Sequence, residues 1–217
     1  MPIVEITKNY VFTALDKSDK EISVGLSELF AGRRQLIIYH FMFDPSWDAG
    51  CPSCSLAGDS FNALEHLNSR DTTLVCVSRA PIAKIAAYKK RMGWTFPWVS
   101  SYGTDFNYDF HVTLNGDVTP VEYNYRNEEQ LKERGLIYAT KGEQPGYSCF
   151  VKGNGKDIGE LGKIYHTYSG YARSVEKGVG FFGLLDMTLL GREDRAGTLP
   201  VPTRRDEYTP EMLKGTA

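Results

Sequence analysis

The chain has 217 residues, of which 41% are hydrophobic and 12% aromatic, enough to bury a core without disulfide or metal staples. Lys and Arg number 25 against 27 Asp and Glu, and a formal charge of −2 gives no electrostatic reason to bind nucleic acid or an anionic membrane. The start MPIVEITKNYVF lacks the basic and apolar regions of a secretory signal, and the run GFFGLLDMTLLG is too short for a bilayer and carries Asp186, so a cytoplasmic protein is expected.

In chain order, YVFTAL and KEISV read as the strands of a hairpin around a polar turn of Asp16, Lys17, Ser18 and Asp19. GLSELFAG reads as a short helix closed by Gly32. The run RQLIIYHFMFD is apolar on both alternating faces, as a central buried strand is. Leu56, Phe61, Leu64 and Leu67 then place one apolar stripe along a helix through CSLAGDSFNALEHLNSR. TTLVCVSR is β-branched, and PIAKIAAYKKRMG is a helix with Pro81 in its first turn and Gly93 at its end.

Strand, helix, strand, helix argues for an α/β domain with parallel central strands. WTFPWVSSYGTDFNYDF is dense in aromatics, and a polar stretch at about residues 113–143 reads as an insertion. GYSCFVKGNGKDIGELGKIYHTYS suggests an antiparallel pair that closes the sheet. Ser169 is placed to cap a helix through GYARSVEKG, and FFGLLDMTLLG adds a last helical turn or two. Residues 1–191 thus read as a single domain and residues 192–217 as an extended tail.

The chemistry concentrates in DAGCPSCS. A C-x-x-C that follows a buried strand and opens a helix is the arrangement of thioredoxin-like dithiols. Pro52 suits the first helical position, which makes Cys51 the N-cap, facing unpaired N–H groups and the positive end of the helix dipole. Both lower a thiol pKa, so Cys51 is the candidate nucleophile and Cys54, almost a turn further on, the resolving thiol. Asp48 would oppose thiolate formation if it came near, whereas Asp44 could sit beneath the pair and take the proton of Cys54. Pro145 is placed to enter the next antiparallel strand through a cis bond, exposing backbone polar groups to a peptide or thiol substrate, with Pro97 as the competitor.

A metal site is the weaker reading, because a structural zinc commonly needs two short-spaced pairs and only one is present. Cys76, Cys149 and His40 fit core positions, and His66, His111 and His166 show no ligand spacing. No cofactor is called for. Two reduced, inert thiols flanking a turn would leave the same residues in place.

Taken together, YHFMFDPSWDAGCPSCS, FPWVSSYGTDFNYDF, HTYSGYAR, LLDMTLLGR and RRDEY resemble a thioredoxin-like family catalogued as domain of unknown function 899. The resemblance runs from about YVFTALD to RRDEY and implies a thioredoxin-like fold of the peroxiredoxin-like branch. That is a central mixed β-sheet flanked by helices, with an N-terminal β-hairpin and an inserted segment. The dithiol departs from the commonest thioredoxin form, since Pro52 and Ser53 separate the cysteines and Trp47 lies four residues upstream.

The favoured function is a thiol–disulfide oxidoreductase acting on a protein disulfide, a small thiol or a peroxide, and restored by an external thiol reductant. Trp47, Pro52, Ser53, Arg79 and Trp98 are its substrate-facing candidates. Arg79 is the candidate cationic donor in the peroxide variant and Arg173 another, with salt-bridge anchoring the preferred role for both. The rival is a binding module whose aromatic face, made by Trp94, Phe96, Trp98, Tyr102 and Phe106, holds a partner chain or a small apolar ligand while the cysteines stay silent. The same aromatic segments offer a surface for a homodimer, though no sequence pattern specifies one.

Overall fold

Strand β4 (Gln35–His40) and strand β5 (Thr72–Ser78) lie side by side and parallel at the centre of an eight-stranded sheet. The computed structural model describes residues 3–189, 192 and 203–213. Helices α2 (Pro52–Ser60) and α3 (Glu65–Asn68) make the crossover between them, and α4 (Ile82–Met92) leads from β5 to parallel β6 (Trp98–Ser100). On the other side of β4, strand β11 (Gly146–Lys152) runs antiparallel to β4 and to β12 (Ile164–Tyr171). A βαβ half and a ββ half thus meet at β4, the layout implied by the thioredoxin resemblance.

The expected hairpin forms from β2 (Val11–Leu15) and β3 (Glu21–Gly25), and β2 joins the sheet against β6. Its turn is held by Asp16, whose Oδ1 accepts from the N–H and hydroxyl of Ser18 and from the N–H of Lys20. Helix α1 (Leu26–Leu29) follows, and Gly32 takes φ +82°, a left-handed conformation that glycine adopts without strain. A further strand, β1 (Val4–Glu5), pairs with β12 at the edge. It is too short for an alternation pattern to reveal.

Alternation in β4 divides the interior into two layers. Leu36 and Ile38, with Val75 and Val77 of β5, face a core built with Phe12, Phe30 and Phe106. Tyr39, with Leu74 and Cys76 of β5, faces a second core with α2 and α4, where Phe41 and Phe43 continue beyond the strand. The dithiol belongs to the second layer.

Several local expectations need correction. The helix expected through residues 54–70 is broken: the Asn62 side chain donates to the Asp59 carbonyl at 2.7 Å, and Ala63 takes φ +53°. A side chain that satisfies a terminal carbonyl ends a helix whatever its apolar stripe. Pro81 is the N-cap of α4, not a first-turn residue. Ser169 does not cap a helix, because β12 runs on to Tyr171 and the Ser169 hydroxyl pairs with His166 Nε2 at 2.9 Å. A 3-10 segment (Ala172–Gly178) and α7 (Gly180–Leu185) follow.

The stretch 113–143 holds short pieces: β7 (Thr113–Leu114), β8 (Glu122–Tyr123), β9 (Arg126–Asn127), α6 (Glu128–Glu133) and β10 (Gly142–Glu143). Helix α5 (Phe106–Asp109) precedes them. Of the expected tail, residues 193–202 and 214–217 lie outside the described residues, while Asp206 and Glu207 both pair with Arg91 of α4. Among the described residues no helix is long and apolar enough to cross a membrane.

Candidate active site

Cys51 is the N-cap of α2 and Pro52 its first residue, as the spacing predicts. The loop from Phe41 to Gly50 folds back so that the Cys51 N–H donates to the Met42 carbonyl at 3.0 Å. The Cys51 carbonyl then accepts from the Ser55 N–H at 3.0 Å and the Ser55 hydroxyl at 2.9 Å. That hydroxyl is itself 2.8 Å from the hydroxyl of Tyr88 on α4. The nucleophile's backbone is therefore tied to its own helix and to the neighbouring one.

The two thiols have opposite surroundings. Cys51 is half-buried and Cys54 is buried; both are free thiols. The Cys51 thiol is lowered to about 6, chiefly because the Cys54 thiol donates to it. Burial opposes that shift, while the backbone N–H groups of Cys54 and Ser53 and the Ser53 hydroxyl reinforce it. Burial and the Cys51 charge push the Cys54 thiol well above its ordinary value, opposed by the Tyr39 hydroxyl and the Met42 N–H. The Met42 nitrogen is 3.4 Å from Cys54 Sγ. One thiol is thereby poised as thiolate at neutral pH and the other held protonated.

A family described as "Bacterial protein of unknown function (DUF899)" matches residues 1–208. The chain belongs to that family. No protein of curated function matches it. Similar solved structures include a thioredoxin peroxidase I of Plasmodium yoelii, at 14% identity and TM-score 0.47, covering 89% of this chain and 92% of that one. A PrxQ mutant of Xylella fastidiosa matches at 12% identity and TM-score 0.43, over 82% and 89% of the two chains. The mitochondrial 2-Cys peroxiredoxin of Plasmodium falciparum matches at 13% identity and TM-score 0.42, over 88% and 95%.

In this DUF899 chain the other candidates divide. Pro145 does enter β11, and with Ser53, Cys54 and Tyr39 it lines one cavity of about 420 Å³. Its peptide bond is trans, since there is no cis bond among the described residues, and Pro97 is trans likewise. The Pro145 carbonyl accepts from the Tyr123 hydroxyl at 2.9 Å, so the backbone group expected to meet a substrate is occupied.

Asp44 turns to Ser46, accepting from its N–H and hydroxyl, and to Arg79 at 3.8 Å. The polar side chain set on Cys54 is Tyr39, not Asp44. Arg79 is anchored at 2.8 Å to Glu143, a carboxyl that burial pushes up and Arg79 draws back down. Its guanidinium also lies over the Tyr108 ring at 5.4 Å. Of the two roles weighed for Arg79, its contacts with Glu143, Asp44 and Tyr108 are those of an anchor.

Trp98 is not substrate-facing: it is 5% exposed, and its indole N–H donates to the Ser78 hydroxyl at 3.0 Å. Trp94, Phe96 and Phe106 are buried too, leaving only Tyr102 of the expected aromatic face in solvent. Trp94, Phe96 and Trp98 pack on one another with centroids 5.3 to 6.0 Å apart, and Phe106 packs in the other layer 4.6 Å from Phe110, so these rings form core instead of a docking surface. Trp47 is 37% exposed, and its carbonyl and that of Pro45 each accept from Lys84 Nζ at 2.9 Å. Arg173 pairs with Glu176 at 3.4 Å. His40 is buried with Nε2 at 2.8 Å from the Ser148 hydroxyl and Nδ1 unpaired, so it is only half satisfied.

Four side chains at the site escaped the sequence reading. Tyr39 was visible as a hydroxyl in an apolar strand, on the same alternating face as Phe41 and Phe43. Ser55 and Tyr88 carried no signal, because each acts through a partner distant in sequence. Arg204 lies in RRDEY, a stretch that contributed to the family resemblance, and its guanidinium donates to the Gly50 carbonyl at 2.8 and 3.1 Å.

Proposed function

We propose that the chain is a thiol–disulfide oxidoreductase in which Cys51 is the nucleophile and Cys54 the resolving thiol. The observation that carries this is the pairing of a half-buried Cys51 at the N-cap of α2 with a buried Cys54 that donates to it. The Cys51 thiolate attacks one sulfur of a disulfide R–S–S–R′, forming Cys51–S–S–R and releasing R′S⁻, which takes up a proton. Cys54 then loses its proton and attacks the Cys51 sulfur, releasing RS⁻ and leaving a Cys51–Cys54 disulfide. Two electrons pass from the dithiol to the substrate, and an external thiol returns them.

The anchoring of Arg79 by Glu143 weighs against the peroxide variant that would use it as a cationic donor. Burial of Trp94, Phe96, Trp98 and Phe106 weighs against the binding-module reading and against a dimer through those rings. The test is reduction of bis(2-hydroxyethyl) disulfide by the reduced protein. Cys51→Ser is expected to abolish it, and Cys54→Ser to stop at a mixed disulfide that peptide mass mapping finds on Cys51. Undiminished reduction by Cys51→Ser would refute the assignment.

A further inference from the structure

The cavity of about 420 Å³ beside the dithiol falls within the roughly 300–1,000 Å³ typical of small-ligand sites. Ser53, Cys54, Tyr39 and Pro145 line the part that reaches the resolving thiol, while Cys51, at the N-cap of α2 two residues before Ser53, does not line it. Val179, Phe182 and Leu185, from the 3-10 segment's end and α7, line another part and make it apolar. Helix α7 is fastened over α2 by the Gly180 N–H, which donates to the Ser60 hydroxyl at 3.1 Å.

Two further observations narrow the occupant. The charged groups at the cavity neutralise one another: Arg192 pairs with Glu176 at 2.7 Å and with Asp186 at 2.6 Å, and lies 4.4 Å over the Phe182 ring. A charged ligand would have to break those pairs. The backbone that a peptide would add to is also spent. The Pro145 carbonyl accepts from the Tyr123 hydroxyl, the Gln144 N–H donates to the Val112 carbonyl at 2.8 Å, and Gly146 sits between His40 and Tyr171 in the sheet. Strand addition, the usual way to hold an extended chain, has no free edge here.

Resting on the thiol–disulfide reading above, we propose that this cavity takes the apolar arm of a small, uncharged disulfide and that the substrate is not a protein. The arm R fills the space beneath α7 while the S–S bond lies at the dithiol. Cys51 attacks the sulfur bearing R and expels the other arm as its thiol. Cys54 then displaces R–S⁻ from Cys51, which is protonated and leaves the cavity as R–SH.

The experiment compares oxidation of the reduced protein by dipropyl disulfide, bis(2-hydroxyethyl) disulfide and insulin, following loss of protein thiols. The first two differ mainly in the polarity of their arms. Dipropyl disulfide is expected to react at least tenfold faster than the hydroxyethyl compound, and insulin more slowly than either. Val179→Trp, which fills the cavity, is expected to bring the dipropyl to hydroxyethyl ratio within twofold. As a check that does not depend on that variant folding, dipropyl sulfide, which has no S–S bond, is expected to inhibit the wild-type reaction with dipropyl disulfide competitively. Equal rates for the two small disulfides, no inhibition by the sulfide, or faster reaction with insulin would overturn the cavity assignment and leave the dithiol chemistry standing. No reaction with any of the three would overturn both.

Discussion

Burial alone raises a thiol pKa, as it does for Cys76 and Cys149, yet Cys51 moves the other way. The difference lies in donors: Cys51 has the Cys54 thiol, two backbone N–H groups at the start of α2 and the Ser53 hydroxyl. Since the thiolate is the reactive form, alkylation of Cys51 by iodoacetamide is expected to rise with pH around a midpoint of about 6 and to level off above it. Cys76 and Cys149 should stay slow through neutral pH, and mass mapping of the labelled peptides separates the sites. For Cys54, burial and the neighbouring Cys51 raise the thiol, and the side chain that favours its charged form is the Tyr39 hydroxyl. Tyr39→Phe is expected to leave the first attack intact and to slow release of the second thiol by about tenfold or more, because a hydrogen bond to a charged atom is worth roughly 1.5–3 kcal/mol. Rapid-quench separation of the mixed disulfide from the final product checks this. Cys51, Pro52 and Cys54 were legible because local spacing places all three at a helix start. Asp44 was misassigned because sequence shows that a carboxylate ends a strand, not which way it turns.

At the scale of elements, the loop from Phe41 to Gly50 is what presents the dithiol, and it is clamped from three directions. Lys84 of α4 holds the carbonyls of Pro45 and Trp47, Arg204 holds that of Gly50, and Met42 pairs with Cys51. At Gly50 the loop passes close to its neighbours: a Cβ there would come within 2.6 Å of the Phe41 ring and 2.8 Å of the Tyr88 ring. Gly50→Ala is therefore expected to destabilise the protein by about 1–3 kcal/mol, the range for overpacking, read from the urea midpoint. Helices α2 and α4 could be read from the sequence because each carries a start signal and an apolar stripe. The break between α2 and α3 could not, since it depends on Asn62 turning back onto Asp59. Nor could the seating of RRDEY on α4, where Arg91 meets Asp206 and Glu207 across more than a hundred residues of chain.

For the molecule as a whole, the sheet keeps structure and chemistry in separate layers. Phe106 is fully buried on the face away from the dithiol, and Cys54 is buried on the other. Phe106→Ala is thus expected to cost about 3–5 kcal/mol in chemical denaturation while leaving the pH midpoint of Cys51 alkylation unchanged. A shift of that midpoint would show that the layers are coupled. The sequence by itself determined the strand–helix–strand frame, the antiparallel closing pair and the dithiol at the start of α2, because periodicity and capping act over a few residues. Only the tertiary structure decided that the aromatic run is core, that Pro145 has its carbonyl occupied, and that Tyr39, Tyr88 and Arg204 surround the site. Those outcomes turn on which face of each element is covered and by what, which long-range packing sets and local pattern does not carry.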